Sequence, residues 1–80
     1  MLDKPIDLKL LVYTVAVAHH VFPDEIMGKS RNRKVCAARN DLYYQLYLLG
    51  WGYSQIGRRV NRHHGTVIKG IQTHRKVNSK

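Results

Sequence analysis

Residues 54–70, SQIGRRVNRHHGTVIKG, decide how this chain is read. Ile56 and Val60 stand four apart, as do Val67 and Ile71, so the stretch predicts two helical segments that each turn one apolar stripe toward a common core. A polar break separates them. Asn61 is the expected cap, accepting from the free N–H groups that open the second segment, with Arg62, His63, His64 and Thr66 projecting from its first turn. A helix tip crowded with basic and hydrogen-bonding side chains suits the groove of a DNA duplex.

Charge points the same way. The chain has 80 residues and a formal charge of +9, and all five acids (Asp3, Asp7, Asp24, Glu25, Asp41) fall within residues 1–41. No carboxylate side chain follows in residues 42–80, so Arg58, Arg59, Arg62, Lys69, Arg75, Lys76 and Lys80 lack acidic neighbours in sequence and are expected to face an anionic partner. A basic surface that serves solubility alone is the competing explanation. The length fits one small domain, residues 1–80 with a core from about 5 to 77, and leaves no room for a nucleotide-hydrolysing module beside it.

Several chemistries are disfavoured. A single cysteine permits no internal disulfide and no thiolate cluster, which suits a reducing, cytoplasmic setting. Cys36 falls in an apolar-periodic helix without an acid-base partner, so it reads as a packed thiol. The histidines occur as His19/His20, His63/His64 and a lone His74, with no two at the spacing of three or four that a shared helical metal site prefers, and no metal or cofactor is expected. The longest near-continuous apolar run, residues 10–18, is too short to span a bilayer, and the early acids Asp3 and Asp7 argue against a signal peptide. Neither a membrane nor a small-molecule substrate is therefore expected as a partner.

Upstream of the decisive stretch, Pro5 and Asp7 predict a helix start, with Asp7 in the first turn and the helix running to about His20. Leu8, Leu11, Val12, Val15 and Ala18 form its expected buried stripe, widened by Leu10 and Val17, and Val21 and Phe22 should pack where it ends. Pro23, Asp24 and Glu25 start one more turn through Met27, which Gly28 stops. Lys29, Arg31, Arg33 and Lys34 then crowd the mouth of a long helix, capped by Ser30 or Asn32. Val35, Ala38, Leu42, Leu46 and Leu49 are its expected spine, flanked by Tyr43, Tyr44 and Tyr47, which fit core or core edge better than base stacking. Gly50 is the expected left-handed cap, Trp51 folds back over the core, Gly52 or Ser54 opens the next helix, and residues 77–80 form a polar tail. The prediction is an all-α domain of about five helices with a helix-turn-helix.

The run GKSRNRKVCAAR (28–39), followed by SQIGRRV (54–60) and NRHHGTVIKG (61–70), resembles the C-terminal DNA-binding domain of the bacterial replication initiator DnaA in order, spacing and residue type across residues 6–77. The resemblance implies a Trp-repressor-like helical fold that reads a short site with a basic loop and a recognition helix. By position, Arg31 is similar to the arginine that the family's loop inserts into the minor groove, where a guanidinium gains from the negative potential of an A·T-rich tract. An arginine merely exposed on its loop is the alternative. Lys29, Arg33 and Arg39 resemble phosphate-contacting positions, and His64 and Thr66 match the family's His and second Thr at the head of the recognition helix. His64 also lies near the Val67 and Ile71 side of the wheel, which leaves partial burial as a rival role.

Arg62, Thr66, Lys69 and Thr73 share a face at spacings of four, three and four, which marks that face for DNA independently of the resemblance. Three departures concern base reading. His63 stands where the family has an acid, Gly65 where it has its first Thr, and a glycine usual in the turn is absent beside Asn61. The docking mode, rather than the family's usual box, is what the resemblance carries over.

No phosphate-cradling glycine loop with its lysine occurs, so the initiator's ATPase is not expected here, and neither is an enzyme of any kind. The expected protein is a regulator of replication initiation or transcription that binds double-stranded DNA in bacterial cytoplasm, or in that of a phage host. A second copy, as a dimer or cooperative array, is a further candidate partner, although no heptad announces it. Two alternatives compete: a nonspecific nucleic-acid binder, and a protein-interaction adaptor with Trp51 and the tyrosines as exposed anchors.

Overall fold

Each helix starts and stops where a nearby residue satisfies its free backbone groups. The computed structural model describes residues 7–78, and every regular element within them is helical: α1 (Leu8–His19), α2 (Pro23–Met27), α3 (Arg33–Leu48), α4 (Tyr53–Val60) and α5 (His64–Asn78). Asp7 lies one position outside the first turn expected for it and caps α1, its Oδ1 accepting from the Leu10 N–H at 3.2 Å. Pro5 and its expected role fall outside the described residues. At the mouth of α3 the cap is Asn32, whose Oδ1 accepts from the Lys34 N–H at 2.9 Å, while Ser30 Oγ accepts from the Asn32 N–H at 3.3 Å and orders the loop before it.

The C-terminal ends use left-handed residues. Gly50 (φ 100) ends α3, with its N–H on the Tyr47 carbonyl and the Trp51 N–H on the Leu46 carbonyl, the paired bonds of a Schellman motif. Asn61 corrects the expectation placed on it. It does not cap α5 but ends α4 in the left-handed conformation (φ 59), where the Arg62 N–H reaches back to the Gly57 carbonyl at 2.8 Å. Asparagine tolerates that conformation better than other residues with a Cβ, so Asn61 supplies what a turn glycine would. The turn is consequently longer than anticipated, and Arg62 sits in it rather than in the first turn of α5.

Helix α3 is the centre of the core. Val35, Ala38, Leu42 and Leu46 are buried along its spine as the periodicity requires, and Tyr43 joins them. Val12, Val15 and Ala16 of α1, Ile26 of α2, Ile56 and Val60 of α4, and Val67 and Ile71 of α5 close over this group. Each large aliphatic so buried contributes about 1.5–3 kcal/mol. Trp51 packs half-buried at the edge, as expected.

Several apolar residues lie elsewhere than the pattern suggested. Leu10, Val17 and Ala18 face solvent, because α1 turns the Val12, Val15 and Ala16 side inward. Phe22 is exposed at the cap of α2, and Leu49 is exposed because α3 stops at Leu48 and Trp51 folds back instead. Residues 77 and 78 continue α5 rather than forming a tail.

Two glycines permit the close approaches that the fold needs. A Cβ at Gly57 would lie 2.5 Å from the Arg62 carbonyl oxygen, so the α4–α5 corner closes only over a hydrogen. A Cβ at Gly70 would lie 2.6 Å from Asn40 Oδ1 and 2.7 Å from the Tyr43 ring, which is what lets α5 settle onto α3. A polar tie adds to this packing: His19 of α1 bonds Asp41 of α3 at 2.8 Å, and His74 of α5 approaches the same carboxylate at 3.6 Å while its ring lies against Tyr44.

Candidate nucleic-acid interface

The head of α5 is built by His63. Its Nδ1 accepts from the Gly65 N–H at 2.9 Å, and its carbonyl accepts from the N–H groups of Thr66 and Val67, so the histidine performs the capping that an acidic residue at this position would otherwise perform. The acceptor nitrogen requires the tautomer with its proton on Nε2, which leaves an N–H donor free at the helix tip. The His63 and His64 rings stack at 4.4 Å. His64 is exposed, so the burial considered for it does not occur, and Gly65, Thr66 and Lys69 are exposed with it.

Behind this tip lies a cleft of about 320 Å³ between α3 and α5, where Arg39, Tyr43, Arg62, Thr66, Lys69 and Thr73 meet. The four residues singled out as one face of the last helix and its turn are thus brought together. Cys36 also lines the cleft and is half-buried, so the thiol is less enclosed than expected.

The basic loop is tied to this cleft through one carbonyl. Arg62, in the α4–α5 turn, donates from Nη2 to the Gly28 oxygen and from Nη1 to the Asn61 oxygen at 3.2 Å. Arg39 donates from Nη2 to the same Gly28 oxygen at 3.1 Å and to the Glu25 oxygen at 3.0 Å, and from Nε to the Ile26 oxygen at 2.8 Å. These bonds gather the last carbonyls of α2, where a cation is favoured by the helix dipole. Hydrogen bonds from a charged donor contribute about 1.5–3 kcal/mol each.

Arg39 therefore differs from the free phosphate contact expected of it: Nε and Nη2 are engaged within the fold, leaving Nη1 for an outside partner. Lys29, Arg31 and Arg33 are exposed on the segment that leaves Gly28. Arg31 lies three residues beyond the carbonyl that Arg62 grips, so the segment that carries it starts at the α4–α5 turn. Trp51 is not an open anchor, since Arg59 lies over its ring at 5.4 Å.

Tyr43 is the residue of this region that periodicity did not single out for the site. It is 1% exposed; the Arg62 guanidinium faces its hydroxyl oxygen, and no acceptor for the hydroxyl proton lies within hydrogen-bond reach among the described residues. Burial pushes the phenol above its ordinary value against the opposing pull of the Arg62 and Arg39 charges, so it stays protonated and able to donate. A buried unpaired polar group costs about 1–3 kcal/mol.

Residues 9–73 match the family model described as the bacterial dnaA protein helix-turn-helix. The chain is 29% identical over 70 residues to the chromosomal replication initiator protein DnaA of Oleidesulfovibrio alaskensis, an overlap of 86% of this chain and 15% of that protein. The chain thus spans about 15% of the length of that relative. No solved structure matches it.

Proposed function

We propose that this chain, which belongs to the bacterial DnaA helix-turn-helix family and so to a non-catalytic class of DNA-binding domain, reads a specific double-stranded site and regulates replication initiation or transcription from it. Arg31 enters the minor groove from the loop. Arg62, His63, His64, Gly65, Thr66 and Lys69 present the turn and the head of α5 to the adjacent major groove. Lys29, Arg33 and the remaining nitrogen of Arg39 hold backbone phosphates, which fixes register without reading sequence.

The observation that carries the proposal is the shared grip of Arg62 and Arg39 on the Gly28 carbonyl, which sets the basic loop beside the recognition helix. His63 and Gly65 differ from the family pattern at base-facing positions, so the preferred site departs from the family's usual box. Gly65 offers no methyl to a thymine, and His63 offers a donor where an acid would accept.

Selection of duplexes from a random pool, followed by sequencing of those retained, tests this. The expected result is a short enriched motif bound at least about a thousandfold more tightly than scrambled DNA. No enrichment, with equal affinity for every duplex, identifies a nonspecific binder instead.

A further inference from the structure

Among the described residues Tyr43 carries a buried hydroxyl whose proton has no acceptor, and its surroundings define what that acceptor must be. The charged groups nearest the hydroxyl are Arg62 and Arg39, with the Cys36 thiol beside them. All of these line the α3–α5 cleft together with Lys69, Thr66 and Thr73. Guanidinium and ammonium groups donate and cannot accept, so the missing partner is an acceptor, and the summed charge requires it to be an anion. The ring packs directly against α5, where a Cβ at Gly70 would lie 2.7 Å from it.

Resting on the DNA-binding reading above, we propose that the Tyr43 hydroxyl is a phosphate donor: one backbone phosphodiester of the bound duplex seats in this cleft and takes its hydrogen bond. Arg62 is the gate. Its guanidinium faces the hydroxyl, is only half-buried, and admits the phosphate by releasing the Asn61 carbonyl, so that Nη1 turns onto the anion while Nη2 keeps its bond to Gly28. Lys69 and the Thr66 and Thr73 hydroxyls line the approach. The phenol proton that lacks an acceptor in the free protein gains one in the complex.

The test is Tyr43→Phe in the full chain, which keeps the buried ring. Fluorescence anisotropy across a salt series should show affinity reduced about tenfold on selected and scrambled duplexes alike. The slope of log affinity against log salt should be unchanged, since the lost group is neutral. The thermal midpoint of the free variant should not fall, since the hydroxyl removed had no acceptor for its proton.

Titrating the wild-type chain with inorganic phosphate provides a second readout by amide NMR, with shifts expected at Lys69 and Gly70 that weaken in the variant. Equal DNA affinity of variant and wild type, or phosphate shifts confined to other residues, overturns the assignment while leaving DNA binding intact. Wild-type protein that shows no salt-dependent DNA binding removes the underlying reading as well.

Discussion

Arg62 and Gly28 are separated by 34 residues, yet the guanidinium of the first holds the carbonyl of the second, and so the turn of the helix-turn-helix is fastened to the root of the basic loop. Arg39 grips the same oxygen from α3. A loop free to wander would lose conformational entropy on docking, and this fastening removes part of that cost before DNA arrives.

Arg62→Ala should therefore do more than delete one charge. Hydrogen exchange at residues 29–32 should accelerate, unfolding free energy should fall by about 1–3 kcal/mol, and affinity should drop on every duplex. Arg62→Lys should restore little, because an ammonium cannot bridge two carbonyls as a planar fork does. Unchanged exchange in the loop of Arg62→Ala would refute the fastening.

The corner itself should be intolerant of a methyl group. Gly57→Ala should cost about 1–3 kcal/mol or more in urea denaturation, since the obstructing atom is backbone rather than a side chain that could move. Gly65→Thr is the contrast: its Cβ meets only the His63 ring, at 3.1 Å, so stability should change little while base preference shifts. Equal loss at both sites would mean that the corner is not the tight point.

Left-handed Asn61 makes a further prediction. Asn61→Gly should be close to neutral, whereas Asn61→Val should lose about 1–2 kcal/mol, because a branched Cβ collides with its own carbonyl at positive φ. Thermal melts of the pair measure the difference.

Stability at high pH should depend on Tyr43. Its phenol titrates above the ordinary value in the folded chain because of burial, while the unfolded chain releases the same proton near pH about 10. The contribution is fully present below that unfolded value and is lost as pH rises through the folded value, since the unfolded state gains by ionising first. Urea midpoints between pH about 8 and 11 should fall less steeply for Tyr43→Phe than for wild type, and parallel curves would contradict the assignment.

What the sequence made legible followed from periodicity and capping chemistry. The spine of α3 from Val35 to Leu46, the paired stripes of α4 and α5 and Gly50 at a helix end are local patterns with one sensible reading, while the start of α3 was narrowed to Ser30 or Asn32. The face of α1 was not of this kind: residues 10–18 are apolar on nearly every side except Thr14, so the choice of Ala16 over Leu10 and Val17 was made by tertiary packing. Phe22 and Leu49 stand at helix ends, where periodicity gives no direction.

In the candidate site, the grouping of Arg62, Thr66, Lys69 and Thr73 was readable from helical spacing. The Gly28 carbonyl was not, because every residue carries one and nothing in a sequence says which will be shared. His63 as a cap was hidden for a related reason, since histidine is seldom chosen for that task. The missing acceptor of the Tyr43 hydroxyl depends on what lies opposite it in three dimensions.

The central claim is that loop and recognition helix address one duplex from one flank. The most direct measurement is footprinting of the selected site, with hydroxyl radicals reporting the minor groove and base methylation the major groove, for wild type, Arg31→Ala and Lys69→Ala. Adjacent protections in the two grooves are predicted, with Arg31→Ala erasing the minor-groove signal alone and Lys69→Ala lowering the salt slope by about 0.9 from a wild-type value of roughly −4.5 to −6. Protection of a single groove, unaltered by Arg31→Ala, would contradict it.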